Sequence, residues 1–255
     1  MKRLDQLLVE LGLAPTRSKA QQMLKANEIE IRVGEQWRTE ASPSFKADQI
    51  SQEDVRIAAN SQTLKYVSRG GLKLESALAH LGLRIEGYRC FDVGQSTGGF
   101  TDCLLKSGAE AILGVDVGHD QLHPSIKANQ KVLAFEGVHA KEMGHHQGIL
   151  DWLKQGVQLA VVDVSFISLE SILPSLGEIL PLGTKLLALV KPQFEVGRGG
   201  LDKGGIVTDN KLFDEVRDRM LLALTKYGFK DLDYFPCAVK GQDGNQEFFV
   251  FAIRC

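Results

Sequence analysis

Cys90-Phe-Asp-Val-Gly-Gln-Ser-Thr-Gly-Gly99 is the stretch that decides the fold. Its first four residues have the character of a buried strand, and a helix is read immediately after it over Phe100–Ser107. Between the two lies D-x-G-x-x-x-G-G, from Asp92 to Gly99. Glycines at such a turn let the backbone bend sharply and come close to a ligand. The N-terminus of the helix that follows offers unpaired N–H groups. The spacing is neither G-x-x-x-x-G-K-[ST], which cradles phosphates, nor G-x-G-x-x-G, which serves dinucleotides. The next apolar run, Ala111-Ile-Leu-Gly-Val-Asp-Val117, carries an acid near its end, Asp116. A carboxylate there can accept two hydrogen bonds from a ribose diol.

Working outward, strands are expected at Lys131–Phe135, Leu159–Val164, Lys185–Val190 and Gln246–Ile253, and helices at Ile149–Lys154, Leu169–Glu178 and Asn210–Tyr227. Strand–helix alternation of this kind predicts an α/β protein with a doubly wound, parallel, Rossmann-like sheet between two helical layers. Turn, strand order and Asp116 together form the pattern of class I methyltransferases, with S-adenosyl-L-methionine as cofactor. The expected cofactor contacts are Asp92, Gly94, Ser96, Thr97, Gly98, Gly99, Asp116, Val117 and Asp163.

The first sixty residues have another texture. Leu4, Leu7, Leu8 and Leu11 recur at helical spacing, and Gly12 ends that helix. Thr16 is a natural N-cap for a second helix burying Ala20, Met23 and Leu24, and Ile29-Glu-Ile-Arg-Val33 alternates as a strand. The expected organisation is a small α+β domain over 1–60, a linker over 61–65 and the methyltransferase domain over 66–255. The first 25 residues hold five Lys/Arg against two Asp/Glu, whereas the chain of 255 residues carries a net charge of −2. Any basic patch for nucleic acid is therefore local, and an excess this small is equally what a solvated helix face carries. The four cysteines form neither a CxxC pair nor a zinc-spaced cluster, so reduced thiols in a cytoplasmic chain are expected and no metal is. No apolar run reaches the roughly 18–20 residues that span a bilayer, and insertion as a monomer is disfavoured.

Several strings together resemble the TlyA, or haemolysin A, family of ribosomal RNA 2′-O-methyltransferases. They are Tyr66-Val-Ser-Arg-Gly-Gly-Leu-Lys-Leu-Glu75, Asp92 to Asp102, Val115-Asp-Val-Gly118, Val162-Asp-Val-Ser-Phe-Ile-Ser168, Val190-Lys-Pro-Gln-Phe-Glu195 and Gly244-Asn-Gln-Glu-Phe248. Arg3-Leu-Asp-Gln-Leu-Leu8 and Thr16-Arg-Ser-Lys-Ala-Gln21 resemble the start of the S-four RNA-binding domain. The string Gly137-Val-His-Ala-Lys141 departs from the family's pattern, so His139 is left out of the expected site.

The resemblance implies 2′-O-methylation of ribosomal RNA, at cytidine, within ribosomal RNA or a ribosomal subunit. Carried over from the related FtsJ-like enzymes, a Lys-Asp-Lys-Glu catalytic tetrad falls on Lys73, Asp163, Lys191 and Glu247. A ribose hydroxyl is a poor nucleophile at neutral pH, and transfer from a sulfonium is an in-line displacement. The enzyme must supply alignment together with a base or an electrostatic trap for the developing alkoxide. Lys191, at the end of an apolar strand, is the candidate base. Arg3, Arg17, Lys19 and Lys25 are the candidate phosphate contacts. Two other readings stand beside this one: a pore-forming haemolysin, and a non-catalytic RNA-binding assembly factor. The oligomeric state is not legible.

Overall fold

The computed structural model describes residues 2–40, 42–47, 50–59, 61–241 and 243–255, in two units, Met1–Tyr66 and Val67–Cys255. In the first, helices α1 (Leu4–Glu10) and α2 (Arg17–Lys25) bury Leu4, Leu8, Ala20, Met23 and Leu24 completely. Thr16 caps α2 by accepting from the Lys19 N–H at 3.2 Å. The helices cover an antiparallel sheet of β1 (Ile29–Val33), β2 (Gln36–Thr39) and β3 (Val55–Ile57), ordered β2-β1-β3. Only β1 is visible in the sequence; the other two are three or four residues long, too short to show a period.

The segment expected as a linker is fastened to this unit. Buried Glu28 accepts from Ser61 Oγ at 2.7 Å and from the Gln62 and Thr63 N–H groups at 2.8 and 3.0 Å. Burial pushes its carboxyl up, but these hydrogen bonds outweigh burial and hold it below the usual range. Asn60, the expected boundary, lies outside the described residues.

The second unit runs α3 (Gly70–His80), β4 (Arg89–Val93), α4 (Gly99–Lys106), β5 (Ala111–Asp116), α5 (Pro124–Lys127), β6 (Val132–Glu136), α6 (Gln147–Leu153) and β7 (Leu159–Val162). It continues through α7 (Leu173–Ile179), β8 (Lys185–Val190), α8 (Pro192–Glu195), α9 (Asn210–Lys226), β9 (Phe229–Pro236) and β10 (Phe248–Arg254). The seven strands are ordered β6-β5-β4-β7-β8-β10-β9. Phe91, Val93, Val162, Ala188 and Val250 face a core shared with α6, α7 and α9. Residues between them point the other way: Phe249 stacks on Phe100 of α4, its ring 6.3 Å away, which makes three layers.

One strand departs from the all-parallel expectation. β10 runs antiparallel to both β8 and β9. Parallel neighbours need a long crossover, commonly a helix, and the segment between β9 and β10 contains none. The reversal brings the start of β10 beside the end of β8, with Phe248 opposite Val190. Lys191 and Glu247 thereby come to the same edge of the sheet.

Candidate functional site

In open α/β sheets, ligands bind beyond the carboxyl ends of the parallel strands. A cavity of about 490 Å³ lies there, bordered by the turn after β4, the end of β5 and the loops after β6 and β7. Gly94 lines it with φ +86°, and a Cβ at that position would sit 2.4 Å from the Asp163 carbonyl oxygen. Ser96, also at positive φ, donates its N–H to Asp116 Oδ2 at 2.8 Å, and the Gly118 N–H reaches Oδ1 at 2.7 Å. The Asp116 carboxylate is thus aimed by two backbone amides at the cavity wall, with exposed Val117 beside it as an apolar surface.

On the far side of the sheet edge two lysine–carboxylate pairs converge. Lys73 of α3 donates to Glu247 Oε2 at 2.5 Å, both residues being buried. Lys191 Nζ lies 2.6 Å from Asp163 Oδ1 and donates to Ser165 Oγ at 2.8 Å. Asp163 and Ser165 also line the cavity, so the second pair adjoins it directly. Glu247, Lys191 and Asp163 stand at the ends of three neighbouring strands, β10, β8 and β7.

The FtsJ-like methyltransferase pattern matches residues 66–254, and the S4 domain pattern matches residues 2–31. This chain belongs to the FtsJ-like methyltransferase family. Bacillus subtilis YqxC, described as an rRNA methyltransferase, is 40% identical over 98% of this chain and 84% of its own. The Mycobacterium tuberculosis 16S/23S rRNA (cytidine-2'-O)-methyltransferase TlyA is 34% identical over 98% of this chain and 88% of its own. A solved structure described as a hemolysin from Streptococcus thermophilus superposes with TM-score 0.72 at 34% identity, covering 99% of this chain and 88% of that one.

Within this FtsJ-like frame four of the expected cofactor residues do not line the cavity. Asp92 is fully buried on the opposite face of β4 and accepts from Thr101 Oγ1 at 2.6 Å, while its Oδ1 has no hydrogen-bond partner. With no cation beside it, burial pushes its carboxyl up to about 7, and the charge of Asp163 adds to the rise. Asp92 therefore braces the turn against α4. Thr97 gives its carbonyl to the His123 N–H at 3.2 Å. Gly98 sits at φ +89° under Leu122 and Ile126, and Gly99 packs on the start of α3, where a Cβ would stand 2.0 Å from Ser68 Oγ. These two glycines serve packing.

Other residues line the cavity without having been expected: Gln121, His139, Ser165 and Phe166. His139 belongs to the cavity wall despite its departure from the family string, because the loop after β6 follows β5 along the sheet edge. Phe166 combines φ +63° with 92% exposure, its ring 5.4 Å from Phe194. Positive φ in a bulky residue is uncommon and concentrates at functional sites. Sequence alone gives no sign of it.

In the first unit, Arg3 and Arg17 converge on one carboxylate. Buried Asp5 meets Arg17 Nη2 at 3.2 Å, Arg3 Nε at 3.3 Å and Gln21 Nε2 at 2.6 Å. Burial pushes this carboxyl up, but Gln21 and the two arginines prevail and hold it below its usual range. Both arginines remain about half exposed, and Lys25 is exposed at the end of α2. Lys19 is half-buried in the first turn of α2. Among the described residues no helix is long and apolar enough to cross a membrane, and no group of three or more His, Cys, Asp or Glu could hold a metal.

Proposed function

We propose that this chain transfers a methyl group from S-adenosylmethionine to the 2′-hydroxyl of a cytidine in ribosomal RNA. The observation that carries the reading is the Lys191–Asp163 pair opening onto a nucleoside-sized cavity, with the Lys73–Glu247 pair one strand further along. The cavity fits the cofactor: its volume lies in the range of small-molecule sites, it carries a carboxylate for a ribose diol and an apolar wall for a base. Gly94, Ser96, Asp116 and Val117 would hold the adenosine part, and Asp163 the opposite end. When bound there, S-adenosylmethionine supplies an electrophilic methyl group on its sulfonium.

This chain's own residues do the rest. Lys191 receives the ribose hydroxyl and takes its proton as the oxygen forms its bond to the methyl carbon and the carbon–sulfur bond breaks. For that role Lys191 must enter the step as a free amine, and Asp163 holds the charge it acquires. Lys73 and Glu247 fix the strand ends that align the hydroxyl. Phe166 offers an exposed ring on which a base drawn out of its stack can lie. Arg3, Arg17, Lys19 and Lys25 hold phosphates and bring the RNA to the site without reading its sequence. A ribosomal substrate implies work in the cytoplasm.

The test is to incubate the protein with methyl-labelled cofactor and ribosomal particles and to map the label. Label on the ribose of one cytidine is expected. Label on a base would overturn the 2′-O assignment; no label on any ribosomal particle, with liposomes that leak on addition of the protein, would overturn the reading in favour of the pore-forming one.

A further inference from the structure

The loops after β7 and β8 are joined at three successive levels. Nearest the strands, Lys191 contacts Asp163 and Ser165 at 2.6 and 2.8 Å. Next, the rings of Phe194 and Phe166 stand 5.4 Å apart. Furthest out, the Glu195 carboxylate accepts from Ser168 Oγ at 2.6 Å and from the Leu169 N–H at 2.7 Å. The two segments thus run side by side, contact for contact, and Glu195 closes their outer end.

Glu195 is an unusual residue to find there, because it is buried. Burial pushes its carboxyl above the usual range, against the hydrogen bonds from Ser168 and Leu169. The cation facing it from α9, Arg219, stands 3.7 Å from its Oε2 and makes shorter contacts elsewhere, at 2.7 Å to the Glu195 carbonyl oxygen and 2.9 Å to Glu170. The close partners of the carboxylate are therefore Ser168 and Leu169, which directly follow the loop that carries Ser165 and Phe166. A non-glycine residue at positive φ persists only where its surroundings overdetermine it. Phe166 is almost wholly exposed, so its own packing does little to fix it.

We propose that Glu195 is a positioning residue for methyl transfer, a latch whose two hydrogen bonds hold Phe166 in its solvent-facing conformation and Ser165 against Lys191. The inference rests on the methyltransferase reading above for its effect on rate, and on geometry alone for its effect on the loop. Glutamine should preserve the latch. Its carbonyl accepts from the Leu169 N–H, and its amide donates to the Ser168 hydroxyl, which can accept as well as donate. Alanine should open it.

The experiment compares Glu195→Ala with Glu195→Gln in the full chain by two readouts. Single-turnover methyl transfer to ribosomal particles should fall about 10- to 100-fold in Glu195→Ala, the scale of a misplaced reacting group, and stay within about threefold in Glu195→Gln. Amide hydrogen exchange across 163–169 should speed up in the alanine variant and not in the glutamine variant. Transfer and exchange unchanged in Glu195→Ala would overturn the latch, as would a Glu195→Gln protein no better than Glu195→Ala. If the alanine variant does not fold, Ser168→Ala removes one of the two bonds; unchanged exchange and rate there would overturn it equally. A wild-type protein inactive on every ribosomal substrate would defeat the functional reading, and the exchange measurement alone would then decide the latch.

Discussion

The two lysine–carboxylate pairs share their chemistry and differ in enclosure. In Lys73–Glu247, which ties α3 to the start of β10, the side chains are 11% and 3% exposed. In Lys191–Asp163 they are 10% and 21% exposed, and the more open member is the carboxylate that lines the cavity. The sealed pair ties a helix to a strand end. The open pair leaves a carboxylate facing the cavity, next to a lysine nitrogen that also contacts Ser165, where a third group can enter. Two lysine–carboxylate pairs at one sheet edge thus differ in access, one closed off and one open to the cavity.

Removing one partner from the sealed pair should give the largest effect. Glu247→Leu strands a buried ammonium and is expected to cost about 3–5 kcal/mol of stability in denaturant titrations. Joining it to Lys73→Met should restore most of that stability while methyl transfer stays impaired. Asp163→Asn, at the more exposed pair, should cost clearly less. Equal losses at the two pairs would erase the distinction between them.

The next effect is on chemistry. Lys191→Met keeps the aliphatic stem, so the strand end still packs. Methyl transfer should drop about 10²-fold or more, the usual scale for losing a general base, with cofactor affinity little changed. Lys191→Arg should not rescue it, because a guanidinium cannot accept a proton at any working pH. Near-normal turnover with arginine would reduce the open pair to a fixed charge and leave it closer in kind to the sealed one.

Smaller still is the loss at the cavity. Asp116→Ala should weaken S-adenosylmethionine by about 1–3 kcal/mol in titration calorimetry, for the partners left unpaired. Unchanged affinity would remove Asp116 from the cofactor's ribose.

The remaining effect is a pH dependence of stability from Asp92. Its carboxyl titrates near 7 in the folded protein and near 4 when unfolded, so the folded state holds the extra proton between those values. Stability should therefore decline as pH rises through that window and level off above it. Glu195, also raised, contributes with the same sign. Asp92→Asn should flatten the slope of melting temperature between pH 5 and 7.

What the sequence could convey follows from range. Lys185–Val190 is read with the boundaries it has in the structure, since an unbroken apolar run before Lys191 needs no partner to declare itself. The turn at Gly94 is equally local, and so is the acid closing β5. Where the Asp92 carboxylate turns is not legible, because its partner, Thr101, lies on the next helix, and only the pleat of β4 decides which face it takes. The four tetrad positions come from family strings; their pairing depends on β10 running backwards between β8 and β9, which no local pattern announces. Phe166 and His139 enter the site through loops whose paths are set by neighbouring strands.

Gly99 gives the site its tolerance. It meets Ser68 Oγ, the Gly71 N–H and the Gly70 Cα within the span of one missing methyl group. A side chain there would wedge α3 away from α4, and α3 carries Lys73 toward Glu247 on the same rigid rod. The position works as a spacer shim: the thickness of a hydrogen atom between two helices sets how far a lysine reaches across the sheet. Variation at Gly99 should therefore read out first as a loosened clamp, before any change at the cavity wall.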